Sequence, residues 1–321
     1  VGTVLLVDGN PLVWRSVDIY KNLRTKTGKA TGAIYGAFEI LFRAIDHVKP
    51  DSIVVTWDVG KSRWRRALSP DYKASREARK PNDGGLPFEE IIPQFSDIQR
   101  LLMLAGIPQF GIQGVEADDL IGLLASGLAK SQSHDIVILS SDGDLNQLLS
   151  EKVRQYDSVG KRWVDLEKVK EVYNGLTPAQ LIELKAITGD GGDDIKGVKG
   201  IGPSGAHKLL TTFGSLDACL DDANQAQISS LGKRLAAFTE ARDTVKLARK
   251  LVTITTVDNY KEFLSAEEIA VFVTLLRTKV EPNRFSFSQV ADSLELERVN
   301  RRAGLLFVPS PELEQVSQWF M

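Results

Sequence analysis

Cysteine is nearly absent from this 321-residue chain: Cys219 is the only one, so no disulfide can form within it. Three scattered histidines beside that one cysteine cannot assemble the usual four-ligand zinc site, which excludes a structural zinc. Missing too is any run of about 18 apolar residues, the length that a membrane span requires. The N-terminal VGTVLLVDGN runs straight into a strand-like segment without the basic flank of a signal peptide. A soluble, intracellular protein with no membrane association is therefore expected. An excess of one charge is also lacking: 40 lysines and arginines face 42 aspartates and glutamates, a net charge of −2, so the chain carries no overall basic footprint for nucleic acid. No repeat of solenoid length and no low-complexity tract is present. With 43% hydrophobic residues, what remains is ample material for one large domain or two interlocked ones.

The near-zero net charge hides a segregation. Between Lys61 and Lys80 stand Lys61, Arg63, Arg65, Arg66, Lys73, Arg76, Arg79 and Lys80 against Asp71 and Glu77, a local balance of +6. A solvated loop would look the same, so the meaning of this run depends on its surroundings.

The first half alternates strand-like runs with helical patterns. TVLLVD (3–8), SIVVTWD (52–58), IPQF (107–110) and DIVILSS (135–141) imply an α/β fold with a mostly parallel central sheet flanked by helices. In such sheets functional groups collect beyond the carboxyl ends of the strands. Asp8, Asp58 and Asp142 each fall at or just after the end of a run, so three strand ends are expected to deliver carboxylates to one edge. Residues 60–95 break the alternation with a basic stretch punctuated by proline and glycine, too polar for a core element and long enough to suggest function. After about residue 176 strands are expected to cease and helices to dominate, at 177–188, 203–213 and near 231–251. This divides the chain into an α/β core, 1–175, and a helical region, 176–321.

Carboxylates recur in short clusters. Glu116, Asp118 and Asp119 open the helical run GVEADDLIGLLA; Asp142 and Asp144 lie in SSDGDLNQLL; Asp190, Asp193 and Asp194 lie in TGDGGDDIKGVKGIGP. Each cluster alone reads equally as a negatively charged first helical turn, a cap or a tight glycine turn. Gathered in one cleft they would repel unless cations intervene. Oxygen ligands without histidine or thiolate suit magnesium or manganese, and two such ions suit phosphodiester hydrolysis. A phosphoaspartate mechanism on Asp8 would need few carboxylates and would leave the basic loop and the glycine-rich segment unexplained.

Taken together, LLVDGN, GAIYGAF, the aspartate of VTWD, YKASR, VEADD, SSDGDLNQLL and GDGGDDIKGVKGIGP resemble, in order and spacing across roughly residues 3–215, the structure-specific 5′ nuclease family. That family comprises flap endonucleases, bacteriophage 5′-exonucleases and the 5′-nuclease domain of bacterial DNA polymerase I. The resemblance implies a PIN-like core and a stand-alone enzyme of phage or prokaryotic type, cytoplasmic and monomeric. Its expected work is the hydrolysis of DNA at 5′ flaps, nicks and single-strand/duplex junctions during replication or repair. It implies that Asp8, Asp58, Glu116 and Asp118 surround one ion, while Asp118, Asp119, Asp142, Asp144, Asp190 and Asp193 serve a second. Lys73 and Arg76 would act catalytically on the scissile phosphate. Tyr72 would stack on a base or simply pack its loop; Arg15 would contact the same phosphate or form a surface salt bridge.

The stretch 60–95 corresponds in this reading to a helical arch under which a single-stranded 5′ end passes. A helix-three-turn-helix near 178–214 would grip duplex through Lys196, Lys199, Gly200, Gly202, Ser204 and Lys208. It would also bind a potassium ion through backbone carbonyls of Val198 and Ile201. Asp194 departs from the asparagine usual in the family; it would tighten metal binding or cap a turn. Helices packed around the hairpin are expected for 216–321. The final LEQVSQWF (313–320) resembles a sliding-clamp peptide whose leading glutamine is replaced by Leu313; a tail tucked onto the core is the competing reading. Two other functions compete: a DNA-structure-binding protein with vestigial catalysis, and an RNA-directed nuclease on a similar sheet.

Overall fold

The computed structural model describes residues 2–77, 86–132, 134–230, 238 and 240–320. The middle of the expected arch, including Arg79 and Lys80, and most of 231–239 lie outside the described residues.

Strand β1 (Gly2–Asp8) is apolar from Val4 to Val7, and every one of those side chains is buried. A strand that reads as a continuous apolar run must be covered on both faces, and β1 lies at the centre of the sheet. It pairs in parallel with β2 (Ser52–Val59) on one side and β4 (His134–Leu139) on the other, with Leu5 opposite Ile53 and Val137. Beyond them lie β3 (Gln109–Gln113), β5 (Val153–Asp157) and the antiparallel β6 (Arg162–Val164), in the order β3-β2-β1-β4-β5-β6. The expected strand at 107–110 thus sits two residues later. The hairpin β5–β6 went unread because its alternation is short and interrupted by charge.

Side chains of alternate residues feed two cores. Leu5, Val7, Ile53 and Val55 face α1 (Gly9–Ile19), α2 (Gly32–Val48) and α5 (Phe88–Leu104). Val4, Leu6, Val54, Ile136 and Ile138 face α6 (Ala117–Ser131). Between β2 and α5 come two short helices, α3 (Arg63–Leu68) and α4 (Ala74–Glu77).

After α7 (Leu166–Val172) the helical region begins at α8 (Pro178–Thr188), whose start is written in the sequence: Thr177 and Gln180 form a capping box, and Pro178 occupies the first turn. Strands do not cease entirely. A two-residue pair, β7 (Gly189–Asp190) and β8 (Ile195–Lys196), closes the acidic turn and leads into α9 (Pro203–Phe213). The close approach explains a glycine there: a Cβ on Gly197 would lie 2.2 Å from the carbonyl carbon of Thr188. Helices α10 (Leu216–Leu220) and α11 (Gln225–Ser230) follow, then α12 (Arg242–Val252), which packs on α8.

The remaining helices do not stay around the hairpin. After α13 (Tyr260–Phe263), α14 (Ala266–Arg277) adds Phe272 to the α6 face of the sheet. Next, α15 (Arg284–Ser293) and α16 (Glu297–Arg302) add Phe287 and Val299 to the opposite face. The chain therefore returns to clad both sides of the α/β core, burying apolar surface that α2, α5 and α6 leave open. The tail follows the same rule. Leu313 and Val316 are buried, and the Phe320 ring packs against Tyr260 and Phe272 at 4.8 and 5.2 Å. In this arrangement the residues that would form a clamp peptide are used as core.

Candidate metal centre

Asp8 ends β1, Asp58 lies one residue before the end of β2, and Asp142 caps the 3-10 turn Gly143–Leu148 that follows β4. Glu116 occupies the N-cap of α6, with Asp118 and Asp119 in its first turn. Because β1, β2 and β4 are parallel neighbours, their carboxyl ends share one edge of the sheet. Asp190 on β7 and Asp193 in the turn after it reach the same place from the helical region. Asp144, Asp190 and Asp193 offer carboxylate oxygens all within 4.8 Å of one another.

The electrostatics record the crowding. Burial and then the charge of Asp58 push Asp8 up to about 7, although Ser140 Oγ donates to its Oδ2 at 2.9 Å. Burial and the charges of Asp8, Asp142 and Asp58 raise Asp118 well above the carboxylate range. Asp58 is raised by the protein packed around it, even though the Ala117 amide donates to its Oδ1 at 2.8 Å. Burial also raises Asp144 and Asp193 against their nearby lysines and arginine. Carboxylates held this way favour the arrival of cations. All the donors are oxygens, so the set fits a hard divalent cation.

Two members behave differently. Burial would raise Glu116, but Arg65 and Lys73 hold it below its ordinary value. Burial would likewise raise Asp190, yet hydrogen bonds from Lys185 and the backbone amides of Gly192 and Asp193 lower it.

Lys73 and Arg76 stand beside this cluster. The Lys73 ammonium pairs with Glu116 and lies 3.7 Å from Asp193, while Arg76 pairs with Asp193 and donates to the Gly192 carbonyl at 2.9 Å. Lys73 adopts φ 56°, uncommon for a residue with a Cβ, and its amide is held by the Asp193 carbonyl at 3.0 Å. Its pKa stays above the ordinary lysine value because Glu116 outweighs the burial that would lower it. A cavity of about 300 Å³ opens here, lined by Asp58, Lys61, Arg66, Lys73 and Arg76. Another of about 370 Å³ opens on the far side beside Asp144, Lys185 and Asp190. Arg15 lies at the rim by Asp8, donating to Ser141 Oγ at 3.0 Å.

Three expectations need correction. Asp119 is fully buried, and both its oxygens are taken by Arg65, at 2.6 and 3.0 Å, and by the Thr255 amide at 3.0 Å. It is a structural counter-ion behind the cluster, held by Arg65 and the backbone. Tyr72 is 3% exposed, and its hydroxyl donates toward Glu116 and Asp193 at 3.2 Å, so its ring is not available for a base. The basic stretch is not wholly a solvated loop either: Arg65 is buried and bonds only inward. Asp194 caps the Ser75 amide at 2.8 Å in a left-handed conformation (φ 58°) that asparagine and aspartate tolerate.

Lys196, Lys199, Gly200, Gly202, Ser204 and Lys208 are exposed around β8 and the start of α9, a helix N-terminus facing solvent. Val198 and Ile201 bury their side chains, and the Val198 carbonyl accepts the Ile201 amide at 3.0 Å. Sequence reasoning missed Ser140, Gln147 and Lys185. Lys185 bridges Asp144 and Asp190; its only signal was a lysine set among the apolar residues of LIELKAIT, five places before Asp190.

Residues 3–174 match the family described as 5′-3′ exonuclease, N-terminal resolvase-like domain, and 176–269 match its partner, 5′-3′ exonuclease, C-terminal SAM fold. The chain belongs to the 5′-3′ exonuclease family. Among relatives of this exonuclease-family chain, the 5′-3′ exonuclease of Bacillus subtilis is 32% identical over 78% of this chain and 82% of its own length. DNA polymerase I of Chloroflexus aurantiacus is 37% identical over 84% of this chain. The match spans only 28% of that polymerase, and 34% of the Bacillus subtilis one. In fold, the T5 5′-exonuclease, in a structure with bound zinc ions, superposes with a TM-score of 0.70 at 23% identity, covering 85% of this chain and 96% of that one. Among the described residues no helix is long and apolar enough to cross a membrane.

Proposed function

We propose that this chain is a divalent-metal-dependent 5′ nuclease, acting as both flap endonuclease and 5′-3′ exonuclease on DNA at 5′ flaps, nicks and single-strand/duplex junctions in replication or repair. One observation carries the reading: carboxylates from three parallel strand ends, one helix start and one hairpin meet at a single edge, with Lys73 and Arg76 beside them. Asp8, Asp58, Glu116, Asp118, Asp142, Asp144, Asp190 and Asp193 would hold two magnesium or manganese ions. When bound, such ions activate a water and stabilise the leaving oxygen of a phosphodiester.

The chain's own residues would supply the rest. Lys73 and Arg76 draw a phosphate into the cleft, where they stabilise charge developing on its oxygens. Tyr72, donating to Glu116 and Asp193 from within the core, holds these two carboxylates in place. Arg15, at the rim beside Asp8, would contact the same phosphate. The exposed amides and lysines from Lys196 to Lys208 grip one duplex backbone without reading sequence, with a potassium ion on the carbonyls of Val198 and Ile201. The bound metal ions of T5 enzyme structures and the DNA in another of them support this reading.

The test uses a 5′-labelled flap, a nicked duplex and single-stranded RNA, each with and without magnesium. Cleavage of the two DNA substrates only with magnesium is expected. Asp142→Asn and Lys73→Ala should lose cleavage while retaining duplex binding. Undiminished DNA binding with no cleavage by the parent under any metal would instead identify a binding protein.

A further inference from the structure

The last two residues of α12 and the irregular chain that follows, together 251–257, run between the two acidic turns, and their backbone polar groups alternate between them. Arg65 donates to the Leu251 carbonyl at 2.9 Å and the Thr253 carbonyl at 3.0 Å. The same guanidinium holds Glu116 at 2.5 Å and Asp119 at 2.6 and 3.0 Å. Gln147, from SSDGDLNQLL, donates to the Val252 carbonyl at 3.1 Å and to the Asp144 carbonyl at 3.0 Å, and its Oε1 accepts the Ile254 amide at 2.9 Å. Next in line, the Thr255 amide donates to Asp119 and the Val257 amide to Ser126 Oγ, each at 3.0 Å. The segment lies so close to α6 that a Cβ on Gly122 would come within 2.2 Å of the Thr255 carbonyl oxygen. At its N-terminal end it continues α12, which packs on α8, the helix that leads into Asp190 and the hairpin.

We propose that segment 251–257 sets the register between the two carboxylate-bearing turns and the hairpin-bearing helices, with Arg65 and Gln147 as positioning residues for cleavage. The inference rests on the nuclease reading. Its physical basis is geometric. A segment that needed only backbone partners could be satisfied by water or by any nearby side chain. Here each partner also holds an acidic turn: Arg65 fixes the carboxylate of Glu116, and Gln147 fixes the backbone of Asp144. The planar fork of arginine spans both sets of acceptors at once, which the point charge of lysine cannot do. Duplex gripped at the hairpin fixes α8 and α12, and the segment passes that placement to the carboxylates. A shift of about 1 Å in a reacting constellation costs on the order of 100-fold in rate.

Two variants test this. Arg65→Lys keeps the charge beside Glu116 and Asp119 but gives up the carbonyls of Leu251 and Thr253. Gln147→Met keeps the shape and gives up both bonds to the segment; it decides the matter if the lysine variant does not fold. The first readout needs no metal and no cleavage: amide hydrogen exchange at Ile254, Thr255 and Val257, with and without flap-bearing duplex. Duplex should slow exchange in the parent, and the variants should lose that response while binding duplex as tightly. The second readout is single-turnover cleavage with saturating enzyme and magnesium, expected to fall on the order of 10- to 100-fold in the variants. Folded variants that cleave at the parental rate, or parental exchange indifferent to duplex, would overturn the proposal. A parent that binds duplex but never cleaves removes the nuclease reading instead, and the exchange experiment still reports on the segment.

Discussion

The two sides of the acidic cluster are neutralised differently. On the strand-edge side, Asp8, Asp58 and Asp118 have little cationic help, and burial plus the charge of neighbouring carboxylates raises all three: Asp58 on Asp8, Asp8, Asp142 and Asp58 on Asp118, and Glu116 on Asp58. On the hairpin side each carboxylate already has a cation: Lys185 bridges Asp144 and Asp190, while Arg76 and Lys73 attend Asp193. The strand edge thus has little counter-charge, whereas the hairpin edge carries an internal ammonium that an arriving divalent ion would have to displace or share. The difference follows from origin. Strand ends can place carboxylates at an edge but bring no lysines with them, whereas α8 supplies Lys185 one turn before its end.

The largest expected effect breaks the strand-edge side. Asp118→Asn should abolish cleavage yet, at a pH alkaline enough to ionise that carboxylate, raise the melting temperature of the metal-free protein, because it deletes a buried charge that repels its neighbours; a fall in that temperature there would contradict the repulsion. Next comes the counter-ion behind the cluster. Arg65→Met strips Glu116 and Asp119 of a buried partner and should cost about 3–5 kcal/mol in denaturant unfolding, as lost buried ion pairs do. Smaller still, Lys185→Met should strengthen magnesium binding on the hairpin side, measured by calorimetry. Because that lysine is about a third exposed, the gain should be about 1 kcal/mol or less.

The smallest effect is a matter of pH. Asp8 titrates near 7 in the folded chain and well below that when unfolded, so the folded state takes up a proton between those values. The stability contributed by the protonated form is fully present below the unfolded pKa and is lost as pH rises through about 7. Magnesium, competing with that proton, should raise the melting temperature more at about pH 8 than at about pH 5. An equal rise at both would remove Asp8 from the ion's surroundings.

Much of this was legible beforehand. Asp8, Asp58 and Asp142 could be placed on one edge because parallel strands must leave their carboxyl ends together, and the start of α8 is written as Thr177, Pro178 and Gln180. Asp119 was misassigned because, in a linear motif, it is indistinguishable from Asp118. Adjacent residues in a first helical turn point in directions about 100° apart. One faces the cleft and the other faces Arg65, and only the packing of α3 and α12 settles which. Arg65 looked like one charge in a basic loop for the same reason, and its burial depends on carbonyls 186 and 188 residues away.

By itself, then, the sequence determined the α/β pattern, the set of acidic motifs and the oxygen-only donor chemistry, since these depend on local periodicity and residue type. Tertiary structure alone decided three things: which carboxylates are free and which are saturated, that 266–320 clads the core, and that 251–257 joins the acidic turns. Each of these depends on contacts between distant segments. A buried charge or backbone group must find its partner wherever the fold brings one, and local sequence does not record that place.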